Sequence, residues 1–363
     1  MPLTLHGIGT AVPEQAVSAE ESIALAERVN AERPEQAGLV RRIHQRSQVH
    51  RRGSVLLEGS GRQLPIQQRL PFYGEESPGT ADRMRAFARH ATPLALKACR
   101  AAFRDSGLRP ESITHLVTVS CTGFEAPGVD LALIETLALS ASVQRTHVGF
   151  MGCHGALNGL RVARAYAEAD AGAVVLLCSV ELCSLHLHYG WEPEKLVANA
   201  LFADGAAAVV ASASPPATGR SLVLRANGAT VIPGSRNLMH WQIGDHGFSM
   251  GLSPRVPTVV AEALKPWLEG WLDTAALRVE AIRSWALHPG GPKILTACAE
   301  ALKLSPAQLT ASREVLHDHG NMSSATVLFI LERLRRSAES GPCLALAFGP
   351  GLSAEAALLD LSD

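Results

Sequence analysis

The sequence predicts an α/β protein in which helices cover buried sheets, and three observations support this class. Apolar runs typical of strands alternate along the chain with segments of helical periodicity. Residues 173–178 and 205–211 are unbroken runs of small and apolar residues, which are typical of strands buried on both faces. The second half of the chain repeats the alternation of the first, so we expect two similar halves.

The first half is predicted to begin with a short strand over 3–9. A helix follows, opening at a capping box formed by Ser18 and Glu21 and extending to about Asn30. A long helix is predicted over 80–105, where apolar residues recur along one face. The remaining predicted elements are strands at 115–120, 173–178 and 205–211 and a helix at 155–168.

The second half is predicted to contain three helices and four strands. The strands are expected at 221–225, 283–287, 343–348 and 354–359, and the helices at 257–271, 292–302 and 323–336. We therefore divide the chain into residues 1–220 and residues 221–363. In two such halves, side chains at strand and helix ends would face a shared cleft.

Composition and charge exclude several classes of function. The 363 residues are 47% hydrophobic and carry a formal net charge of −1, which is a globular composition without an electrostatic footprint for nucleic acid. No apolar stretch reaches the roughly 18 residues that span a bilayer, and we find no signal-peptide pattern. Seven cysteines without a secretory signal predict free thiols in the cytoplasm, and their spacing does not resemble a zinc site.

A cysteine, a histidine and an asparagine stand in three distinctive local sequences. Cys153 lies in MGCHG, His288 in WALHPGGP and Asn321 in GNMSS. Together they supply a nucleophile, a base and a hydrogen-bond donor, which suits acyl capture on sulfur followed by carbon–carbon bond formation. The three residues are far apart in the sequence, so the fold has to bring them together.

Each of the three residues has a predicted chemical role. We expect Cys153 at the start of a helix, where the macrodipole would lower the pKa of its thiol. His288 follows a predicted strand and would take the thiol proton, then hydrogen-bond a thioester carbonyl. Asn321 is either an ordinary helix cap or a neutral donor to an enolate oxygen, and a carboxylate there would repel the enolate.

These segments and three others resemble the chalcone synthase family, the type III polyketide synthases. The matching segments are GIGTA, LFADGAAA, HPGGP, GNMSSA and FGPGL, and the resemblance covers nearly the full length. It implies a thiolase fold with a layered αβαβα core, a homodimer and no prosthetic group. It also implies that Cys153 is the nucleophile, that His288 and Asn321 are its partners, and that Phe202 is a gatekeeping aromatic residue.

The resemblance further implies thioesters of coenzyme A as substrates, namely malonyl-CoA and an acyl-CoA starter. Arg42 and Arg46 lie where the family places its CoA-binding basic residues, and their spacing puts them on one helix face. The alternative for both arginines is a solvated face in an arginine-rich segment.

Several pocket positions depart from the plant chalcone synthases. His186 stands in place of a small threonine, Trp241 in place of a glycine, and Met250 in place of a second gatekeeping phenylalanine. These replacements argue against a phenylpropanoid starter. Bacterial relatives with such replacements include alkylpyrone and alkylresorcinol synthases, which accept fatty acyl starters.

Further departures lie near the predicted dimer contact. Ala126 replaces a methionine that reaches across the dimer in the family, and Cys121 and Thr122 replace a Thr-Ser pair. Ser323, beside Asn321, is expected to complete the pocket.

We therefore expect an iterative condensing enzyme that makes an alkylpyrone from a medium- or long-chain acyl-CoA. The alternatives are an alkylresorcinol synthase of the same family and a ketoacyl synthase III-like enzyme that condenses once. A catalytically inactive partner subunit or acyl-binding scaffold is a further alternative, against which the intact Cys153, His288 and Asn321 argue.

Overall fold

The structure is a computed structural model that describes residues 2–58, 64–215, 220–337 and 339–362. The strands are β1 (Leu3–Ala11), β2 (Ala16–Ser18), β3 (Arg51–Gly53), β4 (His115–Ser120), β5 (Gln144–Gly149), β6 (Val174–Leu182), β7 (Asp204–Ser212), β8 (Ser221–Val231), β9 (Met239–Gly244), β10 (Gly247–Leu252), β11 (Ser284–Leu287), β12 (Gly341–Gly349) and β13 (Ser353–Ser362).

The helices cover both faces of the strands. They are α1 (Ala19–Asn30), α2 (Pro34–Arg46), α3 (Ile66–Arg69), α4 (Thr80–Ser106), α5 (Val129–Leu137), α6 (Gly155–Ala169), α7 (Pro193–Leu201), α8 (Val256–Asp273), α9 (Pro292–Leu302), α10 (Thr310–His319) and α11 (Thr326–Ser337). Among the described helices, none is long and apolar enough to cross a membrane.

The main sheet joins strands from both halves of the chain. Its order is β11-β12-β13-β8-β1-β7-β6-β4-β5. The halves meet at β1, which pairs with β7 along its length and with β8 through Leu3–Leu5. The predicted division of the chain after residue 220 stays a prediction.

Alternating side chains of the strands divide the core into layers. On β6, Val175 and Leu177 pack in a central cluster with α6 and α11, whereas Leu176 and Cys178 pack in an outer cluster with α4. The strand β12 likewise sends alternate residues to the central cluster and to a second outer cluster with α8 and α9. Because side chains of a strand alternate between its faces, this pattern gives helices outside and between the sheets. The predicted αβαβα core is confirmed.

Local signals placed several elements where the sequence predicted them. Ser18 Oγ accepts a hydrogen bond from the Glu21 N–H at 3.2 Å, and Glu21 Oε2 accepts one from the Ser18 N–H at 2.8 Å, so the predicted capping box opens α1. The strand predicted at 115–120 coincides with β4. The helix predicted at 323–336 begins later, because a 3-10 turn at Ser323–Ala325 precedes α11.

Several elements were not predicted, among them β2, β3, β5, α3, α5, α7 and α10. The β9–β10 hairpin was not recognised, and β8 extends to Val231 rather than ending at residue 225. Gly9, the second glycine of the GIGTA segment, has a structural explanation. A Cβ atom at this position would lie 2.2 Å from the Ala98 carbonyl oxygen, so β1 can approach α4 only with glycine here.

Candidate active site

The structure contains a largely apolar cavity at the ends of the central strands. About 90 Å³ of it can hold the centre of a water-sized sphere, and the cavity is partly open to solvent. Most of the predicted pocket residues line it: Cys121, Thr122, Cys153, His186, Phe202, Trp241, Met250 and Ser323. A concave, mostly apolar site with a few polar groups is the usual form of a small-molecule site.

Cys153 lies at the centre of a 3-10 turn, Gly152–His154, that leads directly into α6. The turn depends on Gly152, whose φ is +71° and whose Cβ position would lie 2.4 Å from the Pro350 ring. Cys153 therefore sits at a helix N-terminus against the turn that follows β12, as the sequence predicted.

The predicted low pKa of the Cys153 thiol is wrong. Burial raises this pKa to about 12, and the charge of Glu181 raises it further, whereas hydrogen bonds with Ser323 and Asn321 lower it. The loss of hydration destabilises the thiolate here by more than the helix terminus and the hydrogen bonds stabilise it. At neutral pH the unliganded site therefore holds a thiol, which needs a base before it can attack.

This correction has a measurable consequence. Modification of Cys153 by iodoacetamide is expected to accelerate about tenfold per pH unit between pH 6.5 and 9, because the thiolate fraction rises in that proportion below the pKa. Intact-mass spectrometry measures the rate, with Cys153→Ala as the background control. A rate that levels off below pH 7 would instead show a thiolate of low pKa.

His288 is a buried histidine with free ring nitrogens. It follows β11, its N–H donates to the Leu346 carbonyl at 2.8 Å, and its side chain is 1% exposed. Within the described part of the chain, neither ring nitrogen has a hydrogen-bond partner. Burial and the nearby His154 together lower the pKa of His288 to about 3, so the ring is neutral at pH 7.

Asn321 is held by the chain segment that carries the predicted gatekeeper. The Asn321 N–H donates to the Leu201 carbonyl at 2.8 Å, and the Asn321 carbonyl accepts from the Ala203 N–H at 2.9 Å, so Asn321 and Phe202 form an isolated β-bridge. Its side-chain Oδ1 accepts from the Ser323 N–H at 2.8 Å. This contact fixes the amide and leaves its donor end for the site.

The structure thus brings the three predicted residues to one region. Both Cys153 and His288 adjoin the carboxyl-terminal part of β12, and Asn321 is close enough to Cys153 to lower the pKa of its thiol. His288 is not hydrogen-bonded to Cys153 in this unliganded arrangement. A thiol, a neutral imidazole and an amide brought into one region can together transfer an acyl group and stabilise an enolate.

Two aromatic side chains fix the far wall of the cavity. Trp241 Nε1 donates to the Cys121 carbonyl at 2.7 Å. His186 Nδ1 accepts from the Phe248 N–H at 2.9 Å, so its proton is on Nε2, which donates to the Thr122 carbonyl at 2.7 Å. His186 also stacks on Phe248 with ring centroids 4.3 Å apart. These contacts tie the β9–β10 hairpin to the segment after β4 and make the wall rigid.

Five predicted residues are not among those that line the cavity. Two of them, His288 and Asn321, are buried and each 1% exposed. Ala126 is exposed and precedes Pro127 through a cis peptide bond. Arg42 and Arg46 are exposed on α2, and no ion pair of either arginine is found in the described ranges. Their assignments to a dimer contact and to CoA stay predictions.

Sequence reasoning missed Glu181, a buried carboxyl group beside the cavity. Its Oε2 accepts from the Thr122 hydroxyl at 2.7 Å and from the Cys121 N–H at 3.0 Å. Burial raises its pKa, although hydrogen bonds from Ser324, Thr122 and Cys121 oppose the shift. An acidic residue inside an otherwise apolar strand was the available signal. Phe248 was missed because the hairpin that carries it was not recognised.

Within the ranges the structure describes, no group of three or more His, Cys, Asp or Glu side chains is placed to hold a metal ion. The His-Asp-His sequence on α10 instead forms a local contact, in which His317 Nδ1 lies 2.9 Å from Asp318 Oδ1.

Comparisons with known proteins identify the family. The family model described as "Chalcone and stilbene synthases, N-terminal domain" matches residues 2–215, and the model of the C-terminal domain matches residues 223–361. An "Alpha-pyrone synthesis polyketide synthase-like" protein, Pks18, of Mycobacterium tuberculosis is 31% identical over 98% of this chain and 91% of its own length. A 1,3,6,8-tetrahydroxynaphthalene synthase of Streptomyces peucetius is 34% identical over 98% of this chain and 92% of its own.

Solved structures agree with this assignment. The C-terminal type III polyketide synthase domain of Steely1 from Dictyostelium superposes with a TM-score of 0.91 at 29% identity, covering 99% of both chains. PKS-I of the brown alga Ectocarpus siliculosus gives a TM-score of 0.89 at 30% identity, covering 99% of this chain and 98% of that one. The predicted thiolase fold is confirmed, and the chain belongs to the chalcone and stilbene synthase family as a type III polyketide synthase, an acyl-transferring condensing enzyme.

Proposed function

We propose that this enzyme loads an acyl-CoA starter onto Cys153, extends it repeatedly with malonyl-CoA, and releases the chain as an alkylpyrone. The observation that carries the proposal is the position of the Cys153 thiol in the lining of an apolar cavity, on a turn that adjoins the same end of β12 as a neutral His288 with free ring nitrogens. No prosthetic group is needed for this chemistry.

The proposed cycle assigns one task to each residue. His288 takes the Cys153 proton, the thiolate attacks the starter carbonyl, and the CoA thiolate leaves with that proton. Malonyl-CoA then loses its carboxylate as CO₂, and the enolate oxygen accepts hydrogen bonds from His288 and Asn321. The enolate carbon attacks the Cys153 thioester, which expels the Cys153 thiolate and transfers the extended chain to CoA.

The lining of the cavity supports an apolar starter. Leu25, Leu70 and Val17 form part of its surface, together with the aromatic side chains of Phe202 and Trp241. An alkyl chain gains roughly 0.8 kcal/mol for each CH₂ group that it buries on such a surface. The relative whose name refers to alpha-pyrone synthesis, at 31% identity, supports the same class of product. We therefore propose a medium- or long-chain fatty acyl starter.

Trp241 is proposed to select ring closure. An aldol closure needs the polyketide to curl, whereas lactonisation to a pyrone can use a more extended chain. The indole is held by its hydrogen bond to the Cys121 carbonyl and by edge contacts with His186 and Phe248, so it occupies part of the space that a curled chain needs.

Replacing the indole tests this role. The unaltered enzyme is expected to give mainly tri- and tetraketide alkylpyrones, and Trp241→Gly to shift the product toward longer or resorcinol-type compounds, because positioning alone can shift competing barriers by several kcal/mol. Mass spectrometry of the products gives the ratio. Trp241→Phe, which keeps a ring but loses the hydrogen bond to Cys121, separates bulk from anchoring. A mainly resorcinolic product from the unaltered enzyme, or an unchanged ratio in the glycine variant, would contradict the assignment.

We also propose a homodimer and a binding site for CoA. The strand β5 is an edge of the main sheet, and near it Phe124 is 51% exposed and Met151 38% exposed. Such an edge with exposed apolar neighbours suits a second copy of the chain, with Ala126 close to the contact. Light scattering of the purified protein tests the homodimer.

Arg42 and Arg46 are proposed to bind CoA phosphates from the exposed face of α2.

A panel assay separates this function from its alternatives. Purified enzyme is incubated with malonyl-CoA and acyl-CoAs of increasing chain length, and products are identified by mass. Repeated extension to pyrones supports the proposal, and resorcinols would indicate the alkylresorcinol alternative. A single condensation would indicate ketoacyl synthase III-like chemistry, and absent turnover a non-catalytic role.

A further inference from the structure

Arg52 is a half-buried arginine that lines the catalytic cavity and has no role in the cycle described above. It lies on the short strand β3. Its guanidinium Nη1 donates to the Phe202 carbonyl at 3.0 Å and to the Asn199 carbonyl. Its Nη2 donates to the Ser22 hydroxyl on α1. One side chain therefore connects β3, α1 and the end of α7.

The carbonyl groups that Arg52 contacts belong to the segment that places two site residues. The helix α7 ends at Leu201 and is followed by Phe202. Asn321 is held to this segment from both sides, by the Leu201 carbonyl and the Ala203 N–H. Arg52 also lies close to the segment that carries Asn321, since a Cβ atom on Gly320 would lie 3.2 Å from the Arg52 Cγ atom.

The charge of Arg52 suits this position. Burial lowers its pKa to about 10, while the nearby Asp204 carboxylate raises it, so the guanidinium stays charged at neutral pH. Carbonyl groups at a helix C-terminus favour a cation, and the planar guanidinium can hold two of them in fixed directions. The Asp204 oxygens accept hydrogen bonds from Ser184 and Val55, and the hydrogen bonds of Arg52 go to two carbonyls and a hydroxyl.

We propose that Arg52 is a positioning residue that fixes the bridge between Phe202 and Asn321, and thereby aims the Asn321 amide at the enolate formed from malonyl-CoA. This role rests on the proposed function. Loading of Cys153 depends on the thiol and on His288, whereas decarboxylation depends on Asn321. Loss of Arg52 should therefore separate the two steps.

The test measures both steps in Arg52→Gln and Arg52→Lys. Loading is followed as the acyl adduct on Cys153 by intact mass after a pulse of acyl-CoA, and decarboxylation as CO₂ release from malonyl-CoA. We expect Arg52→Gln to slow decarboxylation about 100-fold, since misplacement by about 1 Å can cost that much, and to slow loading less than about threefold. Arg52→Lys keeps the charge but loses the planar guanidinium with its paired donors. It should therefore slow both steps less than Arg52→Gln does, and should again slow decarboxylation more than loading.

Two matched variants provide controls. Arg51→Gln changes the adjacent, exposed arginine and should alter neither step. Arg69→Gln removes a buried arginine that contacts Glu21 and the Ala16 carbonyl rather than α7, so any loss of stability should affect both steps alike.

Equal losses of loading and decarboxylation in both Arg52 variants would overturn the positioning role, as would the same selective loss in Arg69→Gln. If Arg52→Gln does not fold, Arg52→Lys decides between these outcomes. Failure of the unaltered enzyme to turn over malonyl-CoA would contradict the proposed function itself, which distinguishes the two failures.

Discussion

Cys153→Ala is expected to abolish both acyl loading and polyketide formation. The thiol lies at a helix start in the cavity lining, and its replacement leaves no nucleophile at that position. Treatment of the unaltered enzyme with acyl-CoA should add one acyl mass, and proteolytic mapping should place it on Cys153. The alanine variant should show neither the adduct nor the product.

The remaining cysteines make this test specific. Cys298→Ala removes a thiol that is buried on α9 outside the cavity lining and should load normally. Cys121 and Cys183 do line the cavity, so mapping has to exclude both of them as the acylated residue. An adduct on either one, or product from Cys153→Ala, would sink the assignment of the nucleophile.

Asn321→Ala and His288→Ala are expected to slow malonyl-CoA decarboxylation by roughly 10²–10³-fold each. Removing one donor from an oxyanion site typically has an effect of that size. The two side chains are each 1% exposed, so their hydrogen bonds act where water does not compete. Release of CO₂ from malonyl-CoA without a starter measures this step alone.

Loading distinguishes the two variants from each other. His288→Ala should also slow loading, because the thiol has a pKa of about 12 and needs a base. Asn321→Ala should load nearly normally, since its proposed role is on the enolate. His317→Ala, which changes an exposed histidine outside the cavity lining, serves as the control. Equal loss of both steps in Asn321→Ala would mean that the amide acts structurally.

The sequence by itself determined the layered α/β class, most of its elements and the candidates for the three catalytic residues. These features are local: the capping box of Ser18 and Glu21 opens α1, the apolar run at 173–178 overlaps the start of β6, and the run at 205–211 lies within β7. The segments around Cys153, His288 and Asn321 carried the family resemblance, which the comparisons confirm.

The electrostatics of the site were decided by the tertiary structure. The sequence placed Cys153 correctly at a helix start but predicted the wrong direction for its pKa, because burial depends on everything packed around the thiol. Glu181 was missed for the same reason. A carboxyl group in an apolar strand gains meaning when Cys121 and Thr122, about 60 residues away, approach it.

The shape of the cavity was likewise a tertiary property. Trp241 and His186 were recognised as unusual residues, but their anchoring to the Cys121 and Thr122 carbonyls joins segments 120 and 64 residues apart. Such contacts leave no periodic signal in the sequence, since each depends on a sheet that must form before its partners meet. The residues of the wall were therefore readable from the sequence, whereas its rigidity came from the fold.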